Sequence, residues 1–218
     1  MKRKKQLLFL GGLVLLIAFG LWTTALSFVD VQTIGPRNSA VGFAALNRFF
    51  HSLTGVHMAL YTVTDWLGLV PIAFALGFAL LGLAQWIQRK RFLLVDRSLL
   101  ALGGFYIGVM TVYFLFERLV INYRPVLISG FLEASYPSST TMLVLCVMPT
   151  AMLQLNARMQ CRWLRKLVLG TIAGFTLFMV LGRLLSGVHW LTDIVGGILL
   201  SGGLVALYAS ASMSCAEK

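Results

Sequence analysis

The run Gly182-Arg183-Leu184-Leu185-Ser186-Gly187-Val188-His189-Trp190-Leu191-Thr192-Asp193 combines an arginine, a histidine and a carboxylate at fixed spacing. His189 and Asp193 are four residues apart and would share one face of a helix. A carboxylate there accepts a hydrogen bond from one imidazole nitrogen, which fixes the tautomer and makes the other nitrogen a better nucleophile. Arg183 brings a planar, permanently charged donor fork matched to phosphate oxygens. Arg124, immediately before Pro125, offers a second fork. The stretch Pro137-Ser138-Ser139-Thr140 opens a helix, where Ser138 can cap and the free N–H groups of the first turn can receive an anion. Two guanidinium forks, a helix N-terminus and an oriented histidine form a set suited to phosphoryl transfer.

These residues are carried by a chain of 218 residues that is 59% hydrophobic and 11% charged, with a mean hydropathy of +0.87. Soluble domains are about half apolar and about a quarter charged, so the composition excludes a soluble globular enzyme and a disordered chain. Six apolar stretches approach or exceed the length of about 20 residues that crosses a bilayer: 7–28, 63–87, 98–121, 138–156, 167–184 and 190–211. Each must be helical, because a span in hydrocarbon satisfies its own backbone hydrogen bonds. The expected fold is a single all-α membrane domain over 1–218. The first apolar run is too long for a signal peptide and reads as a retained anchor.

Basic residues set the orientation. With the N-terminus in the cytoplasm, that side holds Lys2, Arg3, Lys4, Lys5, Arg89, Lys90, Arg91, Arg97, Arg158, Arg162, Arg165, Lys166 and Lys218. The other side holds Arg37, Arg48, Arg118, Arg124 and Arg183. This asymmetry predicts cytoplasmic termini and accounts for the basic excess without nucleic acid as a partner. Arg118, Arg124, Arg183, His189 and Asp193 then share one depth at the outer ends of their spans, and ionisable groups at that depth mark sites.

The outer loop 29–62 contains Val41–Phe50, which reads as an interfacial amphipathic helix. Gly170 and Gly174, Gly196-Gly197 and Gly202-Gly203 read as close helix-packing positions. Trp22, Trp66, Trp86, Trp163 and Trp190 fall near span ends, where an aromatic belt is expected. Cys146, Cys161 and Cys215 show neither disulfide nor metal spacing.

The motifs resemble those of the type 2 phosphatidic acid phosphatase superfamily over 117–193. Its third motif, Ser-Arg, five residues, His, three residues, Asp, is met by Arg183, His189 and Asp193, with Gly182 at the serine position. Its first motif, Lys, six residues, Arg-Pro, is met by Arg124-Pro125, with Glu117 at the lysine position and Arg118 one place off. Its second motif, Pro-Ser-Gly-His, here reads Pro137-Ser138-Ser139-Thr140. The resemblance implies that His189 attacks phosphorus and that Asp193 orients it. Arg124, Arg183 and the Ser138-Ser139-Thr140 turn would hold the phosphoryl oxygens, with no metal or other cofactor. Arg118 is a further candidate for binding substrate.

Thr140 stands where the family's general acid, a histidine, is expected. An alkoxide whose conjugate acid has a pKa of ~16, like that of water, needs a proton to leave. A phosphate monoester, with a second pKa of about 6, leaves as an anion. Loss of the acid therefore weighs more on monoesters and favours a lipid diphosphate, unless Glu133, His51, His57 or a water supplies the proton. The expected function is a membrane lipid phosphatase acting on a phospholipid or polyprenyl phosphate. Its active site would lie on the outer face of a bacterial inner membrane. A lipid phosphotransferase using the same intermediate and a catalytically degenerate lipid binder or transporter are the alternatives.

Overall fold

The computed structural model describes residues 2–215; Lys218 and the Cys215 thiol lie outside the described residues and side chains. The chain is all-α, with helices α1 (Lys2–Leu26), α2 (Ala44–Thr54), α3 (Met58–Leu67), α4 (Leu69–Arg89), α5 (Arg97–Arg118), α6 (Ser139–Arg158), α7 (Arg162–Leu185) and α8 (Leu191–Cys215). Among the described residues, six segments are long and apolar enough to cross a membrane: α1, Met58–Arg89, α5, α6, α7 and Leu191–Met213. The second of these differs from the expected 63–87. It begins at Met58 and breaks at Gly68, so that α3 and α4 are separate helices.

α6 is the central element. It packs on α4, α5, α7 and α8, and half of its most apolar stretch is buried, against 6% for Met58–Arg89. One core cluster joins Phe19, Val109, Tyr136, Met142, Cys146 and Leu200; a second joins Val144, Met148, Ile172 and Met179. α6 contributes to both, so its first turn is anchored on two sides.

α1 and α8 lie together, and Ser210 Oγ donates to the Lys5 carbonyl at 3.1 Å, which puts the start of α1 beside the last turns of α8. Asp96, Arg89, Arg158 and Gln85 also meet in a polar cluster, outside the end that carries the motifs. The Gln85 amide, followed by Arg89 and Arg158, holds the Asp96 carboxyl below its usual range. At the other end of α1, Trp22 Nε1 donates to the Thr192 carbonyl at 3.2 Å and Thr23 shares a 2.7 Å hydrogen bond with the Tyr136 hydroxyl.

The segment between α1 and α3 is pinned rather than loose. Buried Asn47 on α2 donates to the Gly42 carbonyl at 2.8 Å and to Thr192 Oγ1 at 3.0 Å. Asp30 accepts the Ala45 N–H at 2.7 Å, stabilising the free donors of the first turn of α2. The α2 face bearing Phe49 and Leu53 is exposed.

Glycine positions divide. A Cβ on Gly203 would lie 2.7 Å from Leu16 Cδ2 and 3.1 Å from the Gly12 carbonyl, so this position sets the closeness of α1 and α8. Gly196 and Gly197 likewise pack on Tyr136 and Thr141. Gly170 and Gly174 do not; they face open space, contrary to the packing role expected from their spacing. Overpacking a close helix contact costs roughly 1–3 kcal/mol. Gly203→Val should therefore lower the thermal unfolding midpoint of the detergent-purified protein, whereas Gly170→Ala should leave it unchanged in the same melt.

Candidate active site

Five helix ends converge at the end of the bundle opposite the start of α1 and the last turns of α8: the start of α3, the end of α5, the start of α6, the end of α7 and the start of α8. Between α5 and α6 the chain runs out and back. Tyr123 pairs with Ala134, Arg124 N–H donates to the Glu133 carbonyl at 3.0 Å, and Ser135 N–H donates to the Asn122 carbonyl at 2.9 Å. This ladder fixes Arg124 and Glu133 side by side.

His189 and Asp193 meet by a route other than one shared helical face. α7 ends with Ser186 Oγ donating to the Arg183 carbonyl at 2.8 Å, and Gly187 then takes φ +68°. That value is open to glycine, and a Cβ there would lie 1.8 Å from the Gly55 carbonyl. His189 therefore precedes α8, and Asp193 sits in its first turn. Asp193 Oδ2 accepts the Trp190 N–H at 2.9 Å, the acidic arm of a capping box. Its Oδ1 accepts from Asn122 Nδ2 at 3.4 Å, and its carbonyl accepts the Ser138 N–H at 3.1 Å. Asp193 thus ties α8 to both motif loops.

The same carboxylate faces His189 Nδ1 at 3.7 Å, an ion-pair separation rather than a hydrogen bond. The other ring nitrogen, Nε2, is 3.1 Å from Arg124 Nη1. Arginine only donates, so Nε2 is the unprotonated nitrogen and the ring proton lies on Nδ1, towards Asp193. That is the tautomer a nucleophilic Nε2 requires. Burial pulls the His189 pKa down to about 4, against the opposing pull of Asp193.

Arg183 is 2% exposed. Its Nη2 donates to Asp65 Oδ1 at 2.9 Å and to Thr140 Oγ1 at 2.5 Å, while Nε and Nη1 have no hydrogen-bond partner among the described residues. The Tyr61 ring lies 4.8 Å from the Arg183 guanidinium carbon and 5.8 Å from that of Arg124, so one aromatic face serves both cations. Arg124 Nε lies 3.0 Å from Glu133 Oε2.

Arg124 and Arg183 line a cavity of about 790 Å³ together with Asp65, Tyr113, Glu117, Glu133, Ser139 and Thr140. His189 opens on a narrow adjoining crevice that shares Tyr113, Glu117, Ala134 and Ser139 with it. The structure thus brings together Arg124, Arg183, His189, Asp193, Ser139 and Thr140.

Two residues read from the sequence fall elsewhere. Arg118 is exposed at the end of α5 and does not line the cavity; its neighbour Glu117 does, because the helix turns the two apart. Ser138 occupies the N-cap position of α6, but its hydroxyl makes no capping bond and is buried outside the cavity lining, without a partner among the described residues. The backbone closes that turn instead, with the Ser138 carbonyl accepting from Met142 at 2.9 Å.

Of the groups considered as replacement acids, His51 packs against Trp190 with ring centres 5.5 Å apart and planes tilted by 56°, and exposed His57 precedes α3. Neither lines the cavity, whereas Glu133 does. Asp65, Tyr61 and Asn122 are site residues that sequence reasoning missed. Asp65 carried a signal, being an acid inside the apolar span. Gly182 also gains a reason: a Cβ there would lie 2.7 Å from Thr64 Cγ2, so the glycine lets α3 dock on α7.

A family model of the PAP2 superfamily matches residues 117–214. A crystal structure of "the first transmembrane PAP2 type phosphatidylglycerolphosphate phosphatase from Bacillus subtilis" is similar, with a TM-score of 0.61 and 18% identity over 95% of this chain and 97% of that one. No curated protein sequence matches the chain significantly. Residues 117–214 thus match the PAP2 superfamily model, and the fold of the whole chain is similar to that of a transmembrane PAP2-type phosphatase. The match begins at Glu117, so Tyr61 and Asp65 lie outside it.

A histidine with its pKa near 4 is neutral above that pH and gains a proton only as the pH falls through it. NMR of ring-¹⁵N-labelled protein should show the His189 signals titrating below pH 5. A midpoint near 6.5, the ordinary value, would mean that the ring is solvated.

Proposed function

We propose that the protein is a membrane lipid phosphatase that removes phosphate from a lipid phosphate or lipid diphosphate through a phosphohistidine on His189. The observation that carries this reading is the buried His189, its Nε2 unprotonated and 3.1 Å from Arg124. A phosphoryl group held by Arg124 and the unpartnered edge of Arg183 lies beside that nitrogen. Nε2 then forms a bond to phosphorus as the bond to the leaving oxygen breaks, and the two guanidinium groups offset charge on the phosphoryl oxygens. Asp193 holds the ring and balances the imidazolium character that develops. Water attacks the phosphohistidine in the second half of the reaction and frees His189.

Thr140 fits this scheme as a binding residue. Its hydroxyl oxygen accepts from Arg183 and is too weak an acid to protonate an alkoxide. The basic-residue asymmetry supports an outward-facing cavity and cytoplasmic termini, as in an inner-membrane enzyme of bacteria. A phosphotransferase would use the same intermediate with an acceptor hydroxyl in place of water. Product analysis with and without acceptor lipid separates the two.

The test is phosphate release by purified protein, in EDTA, from a polyprenyl diphosphate and from phosphatidic acid. Release should persist in EDTA and fall by about 10⁴-fold or more in His189→Ala, the scale seen when a covalent nucleophile is lost. Thr140→His, which restores an acid, should raise phosphatidic acid turnover more than diphosphate turnover, by up to the 10²–10⁴-fold typical of general acids. Full activity in His189→Ala would overturn the mechanism.

A further inference from the structure

Hydrolysis of a phosphohistidine needs a water at the site and a group that takes its proton. The other carboxylates around the cavity are already engaged. Asp65 Oδ1 lies 2.9 Å from Arg183, Glu133 Oε2 lies 3.0 Å from Arg124, and Asp193 caps α8. The Thr140 hydroxyl accepts from Arg183. Glu117, in the last turn of α5, lines the cavity and forms no ion pair among the described residues. It also lines the crevice beside His189, so it stands where the two hollows meet.

The crevice has the size and the polarity of a water site. Its volume is about 10 Å³, room for about one water rather than for a lipid group. Ser135, 3% exposed, lines it with a hydroxyl that is buried and has no partner among the described residues. A buried hydroxyl calls for a hydrogen-bond partner, and a water between Ser135, Ser139 and Glu117 supplies one. The Ser135 N–H, held by the Asn122 carbonyl at 2.9 Å, fixes this wall of the crevice.

Resting on the phosphatase reading, we propose that Glu117 is the general base of the second half-reaction and that the Ser135 crevice holds the water it activates. Once the first product has left, that water moves past Glu117 into the cavity. Its oxygen bonds to phosphorus as the bond from phosphorus to Nε2 breaks, and the bonding pair returns to the ring nitrogen. One proton of the water passes to the Glu117 carboxylate, and the other stays on the new phosphate oxygen. The carboxylate then gives its proton to the departing phosphate and is restored. Glu117 thus acts only after the phosphohistidine has formed, and the effect of Thr140 on the first half-reaction is unaltered.

The test separates the two halves. Purified protein is mixed with a polyprenyl diphosphate and quenched in alkali at short times, and polyprenyl monophosphate and free phosphate are measured separately. Glu117→Gln should release about one monophosphate per protein at the unaltered rate and then stall, the burst of a trapped covalent intermediate. Its free phosphate should fall by about 10²–10⁴-fold, the scale of a lost general base. Free phosphate within a few-fold of the unaltered rate overturns the proposal, as does an equal slowing of both products with no burst. If that variant does not fold, Ser135→Val decides: it fills the crevice, keeps Glu117 and should slow free phosphate alone, and an unchanged phosphate rate overturns the proposal. No monophosphate from the unaltered protein overturns the phosphatase reading and this proposal with it. A burst in the unaltered protein upholds that reading whatever Glu117 does.

Discussion

A guanidinium held almost wholly out of solvent at the end of a membrane helix is the constraint around which this fold is arranged. Burying such a charge is costly unless it is paired and hydrogen-bonded. Arg183 receives a carboxylate from α3, a hydroxyl from the first turn of α6 and the face of Tyr61. Each depends on something remote. Asp65 reaches Arg183 because α3 docks on α7 over Gly182, where a side chain would strike Thr64. Thr140 reaches it because α6 is clamped by two core clusters. Two of its donors find no partner among the described residues, and the proposed phosphate-binding role draws on them.

The arrangement around His189 follows from how two helices end. Gly187 turns the chain out of α7 through a conformation that other residues resist, and Asp193 caps α8 by reaching back to Trp190. One carboxylate thereby closes the helix, faces Nδ1 and binds Asn122, while its own carbonyl holds Ser138. Helix capping and ring orientation are served by the same group. The candidate site is consequently as rigid as the helix ends that build it, as the proposed attack of His189 on phosphorus demands.

Much of this was legible in the sequence, and what escaped has physical reasons. The six spans announce themselves through apolar length, since hydrocarbon admits no other isolated structure. Arg183, His189 and Asp193 stand at a spacing that survives without any alignment. Their true geometry did not show, because helical spacing cannot reveal that α8 starts only at Leu191. The break at Gly68 was hidden because the residues on both sides are apolar. Asp65 stood in plain view inside a span, but its partner lies 118 positions away, beyond any local pattern. Arg118 and Glu117 are adjacent, and which of them faces a cavity is settled by helix rotation alone. Gly170 and Gly174 have the spacing of a packing motif but lie on a face that no neighbouring helix covers.

The central claim is that His189 carries the phosphoryl group between lipid and water, and the most direct measurement is to look for it there. Protein mixed with a turned-over lipid phosphate would be quenched in alkali, digested and examined by mass spectrometry. The account predicts a phosphoryl adduct on the peptide containing His189, stable in base, lost in acid and absent from protein never exposed to substrate. Turnover in which His189 stays unmodified at every quench time, or a phosphoryl group on another residue, would contradict it.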